Sequence, residues 1–195
     1  MEKKRLFFGL DIAAPWPQVL PRGRLLDEKQ RHLTLAFLGE VDSQKLLKVM
    51  ENIPRPLFKV GLTGNFDSCL LLPPRSPHVV AWHIAWHDDP ASVISFQKNL
   101  VDWLAKIEMA PRDAGRPWLA HVSLCRQPMD HIGWKRAFCH LPMATGDLCL
   151  YESVGGLKYQ PIWSLPIKPP FEEIEHTADI AFVIYGESLQ QILNH

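Results

Sequence analysis

No stretch of this chain approaches the roughly 20 consecutive apolar residues that a membrane-spanning helix needs. The opening MEKKRLFF has neither the long apolar segment nor the cleavage pattern of a secretory leader. Excess charge of either sign is also missing, since Lys plus Arg and Asp plus Glu both number 21. A long nucleic-acid surface would need a positive field, so none is advertised, whereas a small or single-ended nucleotide ligand fits that balance. Cysteine is sparse: Cys69, Cys125, Cys139 and Cys149 show no CxxC pairing and no disulfide-dense spacing. A reduced, cytoplasmic setting and a soluble protein are the expectation. What is present is a chain of 195 residues, 47% of them hydrophobic, enough for one well-cored domain or two small lobes.

The most informative stretch is His32-Leu33-Thr34-Leu35, echoed in the second half by His121-Val122-Ser123-Leu124. Both read His-x-hydroxyl-Leu inside apolar, strand-like surroundings. Residues two apart in a strand share a face, so His32 with Thr34, and His121 with Ser123, should point away from their aliphatic neighbours. A single histidine of this kind is more often a hydrogen-bonded structural residue. Two copies, one in each half, favour a shared chemical task.

Arg5 to Ile12 predicts a first strand, and Pro15, Pro17 and Pro21 exclude a regular helix before the motif strand Arg31 to Phe37. A helix capped by Asp42 or Ser43 is expected through about Ile53, followed by a strand from Phe58 to Phe66. His78 to His87 reads as a strand with Val80, Trp82, Ile84 and Trp86 on its core face. Pro90 opens a helix to about Glu108 with Val93, Phe96, Leu100, Val101 and Leu104 as its apolar stripe. The second motif strand spans Trp118 to Cys125, and a short helix is expected around Asp130 to Cys139. Gly155-Gly156 turns a hairpin between Asp147–Ser153 and Leu157–Pro166. The order β-β-α-β-β-α-β-α-β-β defines an α+β domain over 1–166 with two motif-bearing halves. Residues 167–170 form a Pro-rich linker. The tail, 171–195, should hold one strand (Ile180 to Tyr185) and one short helix (Ser188 to Leu193), too little for its own core.

Opening a phosphate ester without a metal takes a base on the attacking oxygen and an acid on the leaving oxygen. Two imidazoles titrating near neutrality on opposite sides of phosphorus fill both roles. Thr34 and Ser123 can donate to the non-bridging oxygens where charge accumulates. The stretches RLFFGLDI, RHLTLAFLGEV, RPWLAHVSLCR and LYES…YQPIWSLPI resemble the 2H phosphoesterase superfamily, and within it the RNA 2′,3′-cyclic phosphodiesterase (2′-5′ RNA ligase-like) branch, over residues 5–166. The resemblance implies a bilobal fold, two pseudo-symmetric β-α-β lobes with antiparallel sheets around a central groove. It implies hydrolysis of a terminal 2′,3′-cyclic phosphate to a 2′-phosphomonoester without metal or cofactor, on RNA or a small cyclic nucleotide, with 2′-5′ ligation as the reverse reaction. Carried over by position, His32 is the proton donor and His121 the proton acceptor. Thr34 and Ser123 become phosphate-binding hydroxyls, and Arg126 matches a basic position after the second motif. Two departures stand out: the stretch before His32 is short and proline-rich where the family usually has a helix, and Ser123 replaces the commoner Thr.

Phe7 shares a strand face with Arg5 and Gly9 and is a candidate to stack a base, against the competing reading of a core aromatic. His83 and His87 are four apart, but four strand residues span roughly 13 Å, too far for one metal ion. His83 can still line the groove, Trp118 can shape it, and the cysteines read as small buried hydrophobes. In the tail, FEEIEHTADIAFVIYGESLQQIL is similar to the opening of archease, a small protein that assists an RNA-splicing ligase. That second resemblance implies a metal-binding role for Asp179 whose fellow ligands are absent here, so no metal site is expected, and it implies an RNA-ligase partner. The alternative to an enzyme is therefore a non-catalytic RNA-end adaptor that reaches a ligase through the tail. A metallohydrolase is disfavoured because no carboxylate accompanies either motif. A monomer with no membrane partner is the expectation.

Overall fold

The computed structural model describes residues 3–112, 114–175 and 180–195. In chain order the elements are β1 (Lys3–Ala13), β2 (Gly23–Leu25), β3 (His32–Asp42), α1 (Ser43–Leu47), β4 (Thr63–Leu72), β5 (Val79–Trp86) and α2 (Pro90–Lys106). They continue with β6 (His121–Met129), α3 (His131–Arg136), β7 (Pro142–Gly155), β8 (Lys158–Leu165), β9 (Phe171–Ile174), β10 (Ala181–Ile184) and α4 (Leu189–Asn194).

The first eight strands pair antiparallel in the order β1-β3-β6-β5-β4-β7-β8, with β2 on the edge of β6. Because β7 also pairs with β1, six of these strands close into a ring. The ring has two thin joints. The motif strands β3 and β6 meet only at the pair Leu33–Val122, and β4 meets β7 over three pairs, Thr63–Ala144 to Asn65–Pro142. The longer ladders therefore gather into two lobes, β8-β7-β1-β3 and β2-β6-β5-β4, that splay from a seam between the motif strands. This is the expected bilobal α+β plan, with the two lobes joined into one sheet.

Apolar periodicity explains what fills it. Leu6, Phe8 and Leu10 alternate along β1 and are fully buried, as are Trp82, Val122 and Leu124 across the seam. In α2 the Asp89 carboxylate accepts from the Ala91 N–H at 2.9 Å, and Pro90 occupies the first turn, where its missing N–H costs nothing. Val93, Phe96, Leu100 and Leu104 of that helix are at most 1% exposed. Burying each such side chain contributes about 1.5–3 kcal/mol.

Two expectations need correction. The helix after β3 stops at Leu47 and resumes only as a 3₁₀ turn over Met50–Asn52, because Asp42 caps a single turn and Pro54 and Pro56 block continuation. The strand expected over Phe58 to Phe66 begins at Thr63. Phe58, Val60 and Leu62 are buried as their alternation suggests, yet before Thr63 the backbone forms no ladder, only an isolated bridge of Val60 to Lys168 and a bond from the Thr145 N–H to the Leu62 carbonyl at 2.9 Å. Alternation there reports burial and not pairing.

The tail holds one strand more than expected. β9 and β10 form a two-stranded antiparallel sheet, and α4 follows. The segment docks on the main domain: Lys59 N–H donates to Glu187 at 3.0 Å, Asn194 Nδ2 donates to the His87 carbonyl at 3.2 Å, and His195 meets Asp88 at 3.3 Å. Asp179 lies outside the described residues. Among the described residues no helix is long and apolar enough to cross a membrane.

Candidate active site

The Leu33–Val122 pair fixes the site by register. One step either way along antiparallel strands sets His32 across from Ser123 and Thr34 across from His121. The four motif side chains thus form a cross-strand rectangle on one face, while Leu33 and Val122, both fully buried, pin the other face to the core. The two histidines occupy a diagonal, a separation of roughly 7–8 Å between side-chain roots.

Each ring is held in the same way. Nδ1 of His32 donates to the Gln30 carbonyl at 2.8 Å, and Nδ1 of His121 donates to the Leu119 carbonyl at 2.8 Å. A carbonyl only accepts, so both Nδ1 atoms carry the proton and both Nε2 atoms are left to a substrate. The seam is further tied by Trp118, whose indole N–H donates to the Thr34 carbonyl at 3.0 Å.

A second symmetry follows the motifs. In β3 the register slips between Phe8–Ala36 and Gly9–Thr34, which leaves Leu35 as an extra residue. In β6 it slips between Val80–Cys125 and Ala81–Ser123, which leaves Leu124 as an extra residue. A bulge reverses alternation, so the fifth residue after each histidine returns to the groove face. Those residues are Phe37, paired with Phe7, and Arg126, paired with Val79. Arg126 is half-buried, and its positive charge lowers the pKa of both His32 and His121. Its charge therefore reaches both rings. Phe37 is half-buried with the Arg5 guanidinium 5.1 Å from its ring centre.

Phe7 is a correction. At 3% exposure it offers no ring face to a base. It stacks on His32 at 4.6 Å between ring centres and on Tyr151 at 5.0 Å, while Tyr159 meets His32 edge-on at 5.0 Å. These aromatics immobilise the imidazole. Gly9 completes the support, because a Cβ there would lie 2.9 Å from the Leu33 carbonyl and 3.4 Å from the His32 ring. Sequence reasoning passed over Phe37, Tyr151, Tyr159 and Gln30. Position five after the first histidine was the available signal for Phe37, since the equivalent Arg126 was noticed. Gln30 also ties β8 to the turn before His32, accepting from the Tyr159 N–H through its side chain. Asp11 lies across from His32 in the ladder and accepts from the Tyr151 hydroxyl; burial pushes both groups up.

On the other flank His83 sits directly across from His121, its Nδ1 held by Asp67 at 2.8 Å. His83 and Arg126 add to the burial that lowers His121. His32, the more deeply enclosed ring, is pulled down to about 4, chiefly by burial and further by His121 and Arg126, against the raising effect of the Gln30 carbonyl. An unfolded imidazole titrates near 6.5, so below that pH the folded chain binds fewer protons than the unfolded one. Stability contributed by neutral His32 is present above pH 6.5 and is lost as pH falls toward 4, by about 3 kcal/mol. Urea unfolding at pH 7 and pH 4.5 should show this loss, and His32→Asn should reduce it.

Among the described residues no group of three or more His, Cys, Asp and Glu side chains converges as a metal site. No protein-family model and no curated protein matches the chain. Solved structures do. The chain is similar to Escherichia coli LigT, in a crystal structure complexed with 3′-AMP, with 24% identity, a TM-score of 0.62, and coverage of 85% of this chain and 99% of that one. It is similar to a protein described as a phosphoesterase, with 24% identity, a TM-score of 0.59, and coverage of 86% of this chain and 99% of the other. TT0787 of Thermus thermophilus shares 14% identity and a TM-score of 0.57, with coverage of 85% of this chain and 98% of its own. The chain has the LigT-like fold.

Proposed function

We propose that this chain is a metal-independent phosphodiesterase of the 2H class that opens terminal 2′,3′-cyclic phosphates on RNA or nucleotides and leaves a 2′-phosphomonoester. One observation carries the reading: two histidines on adjacent antiparallel strands, each with Nδ1 fixed to a carbonyl, each across from a hydroxyl, and both within reach of the Arg126 charge. The LigT-like fold and the crystal complex of LigT with 3′-AMP support a nucleotide as ligand.

The chemistry follows from that arrangement. The cyclic phosphate seats between the two Nε2 atoms, with Arg126, Thr34 and Ser123 on its non-bridging oxygens. His121 takes a proton from water as the water oxygen bonds to phosphorus. The bond from phosphorus to the 3′ oxygen breaks, and His32 gives that oxygen its proton. In the free site both imidazoles have lowered pKa values. An anionic phosphate arriving between them favours imidazolium, so the substrate itself supplies the charge that loads the acid. A 5′-hydroxyl in place of water turns the same steps into 2′-5′ ligation. Phe37, on the groove face beside the first motif, takes the base-stacking role that buried Phe7 does not fill. The archease-like tail extends the proposal to an RNA-end context in which a ligase is the partner.

The test is product analysis with EDTA-treated protein on an RNA ending in a 2′,3′-cyclic phosphate. A 2′-phosphate formed at an undiminished rate is expected. A 3′-phosphate, or activity lost with EDTA, contradicts the proposal.

A further inference from the structure

The two motif histidines sit in unlike surroundings. Across the ladder from His32 stands Asp11, and the ring itself is enclosed by Phe7, Tyr151 and Tyr159. Across the ladder from His121 stands a third imidazole, His83 of β5. Trp82 and Val122, the next pair in that ladder, are fully buried, so His83 and His121 share the opposite, groove face. With Thr34 they form a row across β5, β6 and β3. A bulge supplies a fourth member. The β4–β5 register slips between Phe66–Ile84 and Ser68–His83, which leaves Asp67 as an extra residue, and its carboxylate accepts a bond from Nδ1 of His83 at 2.8 Å. A carboxylate only accepts, so Nδ1 carries the hydrogen. Nε2, at the other side of the ring, has no partner among the described residues. Solvent reaches this flank, because Asp67 is exposed and His83 and His121 are half-buried, whereas His32 is buried.

We propose that His83, held by Asp67, is a second hydrogen-bond acceptor for the attacking water and selects water over an alcohol as the nucleophile. The inference rests on the phosphodiesterase reading and deepens it by choosing between two nucleophiles. Directly opposed residues in such a ladder have Cβ atoms about 4.5–5.5 Å apart, so two rings rising from them can bond one oxygen. After burial and the Leu119 carbonyl, His83 is the next influence on the titration of His121. Water has two O–H groups. His121 Nε2 takes one proton as the oxygen bonds to phosphorus, and the bond from phosphorus to the 3′ oxygen breaks as His32 protonates that oxygen. The second hydrogen is donated to His83 Nε2 and stays on its oxygen, which ends as a hydroxyl of the new phosphate. An alcohol has a single O–H and gives it to His121. It then sets carbon against His83 and leaves that acceptor unpaired. Hydrolysis thus makes one bond that alcoholysis does not.

Wild type, His83→Phe and His83→Gln would act on 2′,3′-cyclic AMP in buffer containing methanol, and the methyl ester of 2′-AMP would be measured against 2′-AMP early in the reaction. This ratio does not depend on how much folded enzyme is present, so a purely structural defect leaves it in place. His83→Phe keeps a ring and removes both nitrogens, and the ratio should rise roughly three- to tenfold over wild type, the effect of one hydrogen bond. His83→Gln can donate to Asp67 and still accept from water, so its ratio should lie nearer wild type. An unchanged ratio in His83→Phe, or one in His83→Gln as high as in His83→Phe, overturns the selection of water while the phosphodiesterase reading stands. A wild type inert toward cyclic AMP overturns both.

Discussion

His32→Ala and His121→Ala each lower turnover of a 2′,3′-cyclic nucleotide by roughly 10²–10⁴-fold, the range for losing a positioned acid or base. The two losses arise differently. His32 lies enclosed against Phe7 and Tyr159, so its removal also opens a gap in an aromatic cluster. His32→Gln, which keeps volume and can still bond a carbonyl, separates lost chemistry from lost packing. His121 is only half-buried, and its Nδ1 bond goes to Leu119 in the loop before β6. His121→Ala should therefore leave stability near wild type while turnover falls. Steady-state kinetics with circular dichroism on the three variants decide the matter. Either alanine variant retaining turnover within about tenfold of wild type removes that histidine from the chemistry.

Arg126→Met has the second largest effect, a loss of roughly 10²–10³-fold in kcat/KM from one missing charged donor at the phosphate. It also moves the pH profile. In wild type, kcat/KM should be bell-shaped, reporting one protonated and one neutral imidazole, with its maximum on the acid side of 6.5 because both rings are lowered. A cation whose charge reaches both rings disfavours imidazolium, so removing it raises both pKa values and carries the bell to higher pH. Arg126→Lys keeps the charge and the position of the bell but loses the guanidinium fork, so it should lower the rate alone. A bell that stays in place in Arg126→Met would show that the guanidinium does not face the histidines.

Much of the site was legible because strands impose a period of two. His32 with Thr34, and His121 with Ser123, needed only that period and an apolar partner residue between them. The helix over Pro90–Lys106 was legible for a related reason, its cap, its first-turn proline and its stripe all agreeing. Bulges hid what remained. One extra residue in each motif strand reverses the alternation, and a single sequence does not announce where a ladder slips. Phe37 was missed for that reason, and Phe7 was given a role that its 3% exposure rules out. Tyr151 and Gln30 were invisible because their contacts with Asp11 and Tyr159 cross more than half the chain. The segment from Phe58 to Leu62 misled in the opposite sense, since Phe58, Val60 and Leu62 are buried without forming a ladder.

Whether one phosphorus is gripped from both sides can be read from the imidazoles themselves. Protein labelled with ¹⁵N in histidine, with His32 and His121 assigned through their Asn variants, would be titrated with 2′-AMP at several pH values. Both sets of ring nitrogens should respond along a single binding curve with one nucleotide per chain, and both apparent pKa values should rise on saturation. A response from only one of the two rings, or two independent binding curves, would contradict a shared phosphate site.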